Sequence, residues 1–245
     1  MDLQINGRSA SQLPKLLDAA EMLGFAGVNI THPCKQAVVP LLNTLSPEAE
    51  AIGAVNAVTF RAGKRTGHNT DWLGFSENFH RELPGVCADN VLLLGAGGGG
   101  SAVCYAALRM GAQCISIFDQ DYGRAERLSR QYTAQFGGAS ISAVADPASV
   151  IHEVNGVIHA TPVGMIGHPG MALAPELLRS ELWVAELVYF PLETELLLAA
   201  RQRGCLTLDG GGMAVFQAAE AFRLFTGVEP DRERMLAQFR AALHP

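Results

Sequence analysis

Val91-Leu92-Leu93-Leu94 runs directly into Gly95-Ala96-Gly97-Gly98-Gly99-Gly100, and the glycines at 95, 97 and 100 satisfy the GxGxxG spacing. In a strand–turn–helix setting that spacing binds a dinucleotide. One glycine allows the tight turn, one lets the backbone approach a pyrophosphate, and one lets helix and strand close on each other. The helix that follows presents free N–H groups and the positive end of its dipole to the phosphates. The apolar run before the glycines and the Ala-rich pattern from Ser101 to Met110 supply that setting.

A second apolar run, Ile115-Ser116-Ile117-Phe118, ends in Asp119. An acidic residue about 20 positions beyond the fingerprint hydrogen-bonds a ribose 2′-hydroxyl and repels a 2′-phosphate. The expected cofactor is therefore NAD, with NADP less favoured. The plain alternative is a solvated turn aspartate in Asp119-Gln120-Asp121. Arg124 stands near the same loop, where an arginine can accommodate a 2′-phosphate. With Asp119 present it is expected to stack near adenine or to pair locally. Ala160-Thr161-Pro162-Val163-Gly164-Met165 follows a further strand end. It either lines the crevice at the carboxyl ends of the sheet or is an ordinary proline turn.

Four segments are over-polar for their apolar surroundings: 29–36 around Lys35, 53–56 ending in Asn56, 67–71 ending in Asp71, and 213–217 ending in Gln217. Each has a plain explanation when taken alone. Lys35 fits a solvated first-turn lysine, Asn56 a strand end, Asp71 a helix-start carboxylate and Gln217 a helix-surface amide.

The elements that would position these residues fall into two groups. Residues 11–23 carry a helical period stopped by Gly24, followed by a short strand at 27–31 and a helix from Pro33 to about Leu42. Ser46-Pro47-Glu48 reads as a helix start. Residues 54–60 and 65–69 read as a hairpin about Ala62-Gly63-Lys64, and a helix is expected from Trp72 to Leu83. From Asn90 the pattern alternates, with strands expected at 91–94, 114–118, 156–159, 182–188 and 205–208. Helices are expected at 100–110, 122–134 and 193–203, and helical pattern runs from Gly212 to the end, broken at 227–230. The fold class is therefore α/β: a Rossmann-type doubly wound parallel sheet plus a smaller α/β domain. The expected division is 1–72 with 213–245 for the smaller, substrate-binding domain and 73–212 for the nucleotide domain.

Composition excludes several function classes. The chain has 245 residues, 49% of them hydrophobic and 17% charged, with a net charge of −6 and no basic block. A nucleic-acid surface is not expected. No apolar run reaches the ~18–20 residues of a membrane span, and Met1–Arg8 lacks the pattern of a secretory signal. The five cysteines are scattered and include no CxxC pair, which fits reduced thiols, a cytoplasmic setting and no metal site.

Taken together and in order, Asn29-Ile30-Thr31-x-Pro33-x-Lys35, Gly53-Ala54-Val55-Asn56, Asn69-Thr70-Asp71-x-x-Gly74, Gly95-Ala96-Gly97-Gly98 and Asp209-Gly210-x-Gly212-Met213-x-x-x-Gln217-Ala218 resemble the shikimate/quinate dehydrogenase family. The resemblance spans nearly the whole chain. Thr31–Gln36, Gly67–Asp71 and Asp119 look most like its NAD-dependent quinate/shikimate branch. It implies an oxidoreductase that interconverts a cyclic polyhydroxy carboxylate and its 3-dehydro ketone, in the shikimate pathway or in quinate metabolism, as a monomer or homodimer. It further implies that Lys35 and Asp71 are the catalytic pair and that Thr31, Asn56 and Gln217 hold ring hydroxyls. Tyr189 would stand near the substrate carboxylate, and Thr161, Val163, Val188, Gly212 and Met213 would line the nicotinamide side. Glu186 stands where the family more often has aspartate.

The start of the chain departs from the family pattern. Family members open with a further β–α stretch whose Ser-x-Ser or Ser-x-Thr loop anchors the substrate carboxylate, whereas Met1–Arg8 aligns with the end of the family's second strand. Ser9 and Ser11 have that spacing but lie at a helix start, where capping is expected. The expectation is thus an N-terminally truncated smaller domain. An aminoshikimate-type enzyme or a catalytically weak NAD-binding protein are the alternatives.

Overall fold

Val91 to Leu94 are each 0–1% exposed, as in a parallel strand covered on both faces. They belong to β5 (Asn90–Leu94) of a computed structural model that describes residues 10–243. Successive side chains of a strand point to opposite faces. Val91 and Leu93 accordingly join a core with Ala102, Tyr105, Leu128 and Tyr132. Leu92 and Leu94 join another with Val157, Leu178, Leu196 and Leu197.

The elements before β5 are α1 (Leu13–Met22), β1 (Gly27–Asn29), β2 (Thr44–Leu45), α2 (Pro47–Ile52), β3 (Ala57–Arg61), β4 (Lys64–His68) and α3 (Asp71–Glu82). After it come α4 (Gly98–Arg109), β6 (Cys114–Phe118), α5 (Tyr122–Gln135), β7 (Ser140–Ala143), β8 (Gly156–His159), β9 (Trp183–Glu186), α6 (Glu195–Gln202), β10 (Leu206–Leu208), α7 (Gly210–Thr226) and α8 (Arg232–Leu243). The six later strands form one parallel sheet in the order β7-β6-β5-β8-β9-β10. That is the doubly wound order 3-2-1-4-5-6, with its switch point between β5 and β8. The earlier strands form a four-stranded mixed sheet, β1-β3-β4-β2. Leu13 and Leu17 of α1 pack there with Val38, Val55 and Val58.

Three features differ from expectation. The segment from Pro33 to Leu42 is not a helix but a series of turns closed by a single 3-10 turn at Val39–Leu41. Pro40 has no amide to bond back to residue 36, and its ring excludes an α-helical turn there. The strands β2 and β7 were not expected. The first has two residues, and Ser140-Ile141-Ser142-Ala143 lacks the β-branched or aromatic run that marks a strand. The helix at the glycine turn also starts earlier than its sequence pattern, at Gly98 rather than residue 100. The structure describes neither Met1–Arg8 nor Ser9. The helix of residues 11–23 takes α-form from Leu13, with Gln12 as N-cap and Ser11 in a preceding 3-10 turn.

Among the contacts between the two halves, two are close. Helices α3 and α7 cross so closely that a side chain on Gly74 would stand 2.7 Å from the carbonyl of Met213. The second contact is at the C-terminus of α2, whose last carbonyls need partners outside the helix. Ser101 Oγ donates to Ile52 O at 2.6 Å. The side-chain amides of Gln131 and Gln135 donate to Ala51 O at 2.7 and 3.0 Å.

Candidate active site

Between the two sheets lies a cleft of about 310 Å³. Thr31, Lys35, Asn56, Asp71, Gly99, Tyr189, Met213 and Gln217 all line it, so residues more than 180 positions apart in sequence share one wall.

Local structure explains each placement. The turns after β1 replace the expected helix and are tied to the small sheet. Ile30 N donates to Asn56 O at 2.8 Å, and Val55 N donates to Lys35 O at 2.8 Å. Lys35 therefore faces the cleft from a loop whose backbone is fixed. Asp71 opens α3, with Thr70 as N-cap, so its carboxylate sits at the positive end of the helix dipole. Gln217 comes from α7 on the opposite side of the Gly74 crossing.

Lys35 Nζ is 2.7 Å from Asp71 Oδ2, with side-chain exposures of 19% and 6%. The other carboxylate oxygen accepts from Asn56 Nδ2 at 2.9 Å. Asn56 Nδ2 also donates to Thr70 Oγ1 at 2.9 Å and to Gln217 Oε1 at 3.2 Å, while Asn56 Oδ1 accepts from Thr70 N at 2.7 Å. Thr70 Oγ1 donates to Gln217 O at 3.0 Å. Asn69 completes the frame. Its amide donates to Ala54 O at 2.9 Å and its oxygen accepts from Asp71 N at 3.1 Å. Asn69 and Thr70 were not singled out individually in the sequence. Their signal was the density of short polar side chains in a segment that proves to be buried. The His32 imidazole is held below its usual range, first by burial and then by the charges of Lys35, His168 and Arg124.

The glycine turn forms the adjoining wall. Gly95 has φ +105°, and a Cβ on it would meet Ala160 O at 2.8 Å; a Cβ on Gly100 would stand 2.0 Å from Gly95 O. Nothing lies within 4 Å of the place a side chain on Gly97 would occupy. The first intrahelical bond of α4 runs from Ser101 N to Gly97 O, so the amides of Gly98, Gly99 and Gly100 precede it and face the turn. Asp119 latches the turn to the end of β6. One carboxylate oxygen accepts from Ala96 N at 2.8 Å, the other from Asp121 N at 2.9 Å. Arg124 pairs locally, with Nε 3.4 Å from Asp121 Oδ2. A cradle of amides, an open approach and a carboxylate at the end of the second strand fit the pyrophosphate and ribose of a dinucleotide.

The remaining residues separate. Met213 lines the cleft, but Gly212 does not. It faces a smaller cavity of about 80 Å³ with Asn78 and Phe239, and a Cβ on it would clash with Asn78 Oδ1 at 1.9 Å. Thr161, Val163 and Val188 stand in the loops that follow β8 and β9 and do not line the cleft. Leu187, Gly210 and Ala214 line it without having been expected to. Among the described residues, no group of three His, Cys, Asp or Glu is placed to hold a metal, and no helix is long and apolar enough to cross a membrane.

The family model for the shikimate dehydrogenase substrate binding domain matches residues 3–58, and that for the shikimate 5′-dehydrogenase C-terminal domain matches residues 210–238. The chain is 51% identical over 239 residues to a shikimate dehydrogenase (NADP(+)) of Streptomyces avermitilis, covering 97% of this chain and 82% of that one. It is 48% identical over 234 residues to a quinate/shikimate dehydrogenase (NAD(+)) of Corynebacterium glutamicum, covering 94% and 83%. The structure superposes on quinate dehydrogenase from Corynebacterium glutamicum in complex with NAD with a TM-score of 0.87 at 46% identity, over 98% of this chain and 85% of that one.

Proposed function

Because this chain belongs to the shikimate/quinate dehydrogenase family and is an NAD(P)-dependent oxidoreductase of a CH–OH group, we infer that it interconverts quinate or shikimate with the 3-dehydro ketone and prefers NAD. The observation that carries this reading is the Lys35–Asp71 pair, 2.7 Å apart in a cleft that Gly99 of the glycine turn also lines.

Oxidation of a secondary alcohol removes a hydride from carbon and a proton from oxygen. The bound nicotinamide supplies the hydride acceptor, or the donor in the reverse direction. The chain's own residues manage the proton. Lys35 has three hydrogens on Nζ, one of them directed at Asp71 Oδ2. Its nitrogen therefore meets the substrate oxygen while the carboxylate balances the charge. In the oxidative direction the neutral amine form of Lys35 takes the hydroxyl proton on its lone pair and becomes the ammonium, and in the reductive direction the ammonium returns that proton to the forming alkoxide. Asn56 fixes the Asp71 carboxylate, and of the three acceptors that share its two amide hydrogens Gln217 is the most distant. A ring hydroxyl that replaced that contact would be held by Asn56 and Gln217 together. Thr31 and Tyr189 border the same space, and orienting the carbinol carbon there is itself a large rate factor.

The preference for NAD rests on Asp119, a carboxylate at the end of β6 whose charge opposes a 2′-phosphate. Arg124, the nearby cation, is engaged by Asp121. The same reading divides the chain into 1–72 with 213–245 as the substrate half and 73–212 as the nucleotide half.

The test is a panel of quinate, shikimate and aminoshikimate with NAD and NADP. Turnover of quinate or shikimate with NAD is expected. A clear preference for NADP would overturn the role given to Asp119, and turnover confined to aminoshikimate would overturn the substrate assignment. Lys35→Ala should lower kcat by ~10²–10⁴-fold, the usual contribution of a positioned acid–base group, with the dinucleotide Kd unchanged. Unaltered kcat would remove Lys35 from the chemistry.

A further inference from the structure

Two ionisable side chains outside this mechanism are wholly enclosed at the ends of neighbouring strands of the parallel sheet. His159 ends β8 and Glu186 ends β9, in register on neighbouring parallel strands, with side-chain exposures of 1% and 0%. His159 Nδ1 lies 2.9 Å from Glu186 Oε2. The same carboxylate oxygen accepts from Thr194 Oγ1 at 3.0 Å, and Oε1 accepts from Val188 N at 3.0 Å. On the far side of the imidazole, Nε2 is 2.5 Å from Thr161 Oγ1, which accepts from Val163 N at 3.2 Å. A carboxylate only accepts, so Nδ1 carries a hydrogen and Nε2 is left facing the Thr161 hydroxyl.

This chain of bonds fixes two threonine rotamers and through them three loops. The Thr161 hydroxyl turns to His159 and its methyl to the glycine turn, where a Cβ on Gly95 would meet Thr161 Cγ2 at 2.8 Å. The Thr194 hydroxyl turns to Glu186 and caps α6 by accepting from Leu197 N at 3.3 Å. Its Cβ lies 3.4 Å from where Gly164 would carry one. The glycine turn, the loop after β8 and the loop after β9 are thus held in one mutual arrangement at the switch point of the sheet.

A buried polar pair is a costly way to hold a fold, since a well-packed apolar pair of similar volume often serves stability as well or better. What the polar pair supplies is directional: it sets where Thr161 and the Val188 amide stand. We propose that His159 and Glu186 are positioning residues for the dinucleotide crevice, acting through Thr161, which packs on the glycine turn, and Val188, which stands between the cleft-lining Leu187 and Tyr189. The proposal rests on the dehydrogenase reading above.

The test uses Thr161→Val, which keeps the shape and removes the hydroxyl, His159→Leu, and the double variant. Dinucleotide Kd is measured by calorimetry, and kcat and both KM values are measured separately. Each single change is expected to lower kcat ~10–100-fold, as a small misplacement of a reacting group does, and to weaken dinucleotide binding several-fold, with KM for the acid little changed. The double variant should lose no more than the worse single one, because both cut the same chain. His159→Gln, which keeps a donor and an acceptor, should recover part of the loss. Losses that multiply in the double variant would overturn the proposal, as would a lowered Tm with kcat and Kd unchanged. Should His159→Leu not fold, Thr161→Val alone decides, and unchanged kcat and Kd would overturn it. A wild-type protein that binds dinucleotide but oxidises no acid would defeat the dehydrogenase reading, while the Kd comparison would still decide this one.

Discussion

Gly98 and Lys35 are in contact: a methyl group on residue 98 would stand 3.1 Å from Lys35 Cβ and 3.6 Å from its Cδ. The lysine proposed to handle the proton thus rests on the first turn of the helix whose amides are proposed to hold the cofactor. It has no room to retreat, because its carbonyl is bonded to Val55 N at 2.8 Å.

Gly98→Ala is therefore expected to separate activity from stability. Alanine favours a helix by about 1 kcal/mol over glycine, so Tm should hold or rise slightly. Displacement of Lys35 by a few tenths of an ångström should lower kcat by about 10-fold. An unchanged kcat would show that Lys35 adapts to the added methyl.

Asp119→Ala should weaken NAD and narrow its advantage over NADP. A hydrogen bond to a charged group is worth about 1.5–3 kcal/mol, so kcat/KM for NAD should fall by ~10–100-fold, while that for NADP falls less or rises. Equal losses for the two dinucleotides would mean that the carboxylate serves only to latch Ala96 and Asp121.

Asn56→Ala should damage stability as well as activity. Asn56 is 3% exposed, and its removal leaves the Thr70 amide without its acceptor and Asp71 Oδ1 without its donor. Leaving buried polar groups unpaired costs about 1–3 kcal/mol, readable as a lower denaturant midpoint at unchanged slope. A midpoint equal to wild type would show that water replaces the amide.

His68, half-buried on β4, has its imidazole held below the usual 6.5, first by burial and then by the charge of Arg61. Folding therefore favours the neutral ring. The stability tied to it is complete above pH 6.5 and is lost as pH falls through the lowered folded value. The denaturant midpoint should drop as pH falls below about 6.5, and His68→Gln should flatten that drop. Parallel profiles would assign the drop to other groups.

The larger half was readable in the sequence because its signals are local. The Val91–Leu94 run, the glycine spacing and Asp119 are each governed by neighbours within a few positions, and β5, α4 and β6 form accordingly. The segment around Lys35 was misread because proline permits the first turn of a helix at position 33 and forbids a later one at position 40. The polar frame of the site was visible only as an excess of short polar residues. That Asn69 and Thr70 hold Asp71 depends on a carbonyl at Ala54 and on α7, 147 positions away from Thr70 in the case of Gln217. Likewise nothing near His159 in sequence announces Glu186, since adjacent parallel strands join residues that a crossover separates.

The ending of α2 also bears on how such a protein can be recombined. Its last two carbonyls belong to the smaller half, and their partners Ser101, Gln131 and Gln135 belong to the nucleotide half. A chimaera that kept residues around the four-stranded sheet and imported a foreign nucleotide-binding unit would satisfy the glycine turn and still leave Ala51 and Ile52 bare. The seam between the halves is written in side chains of α4 and α5, so an exchange of modules succeeds only when those side chains travel with the smaller half.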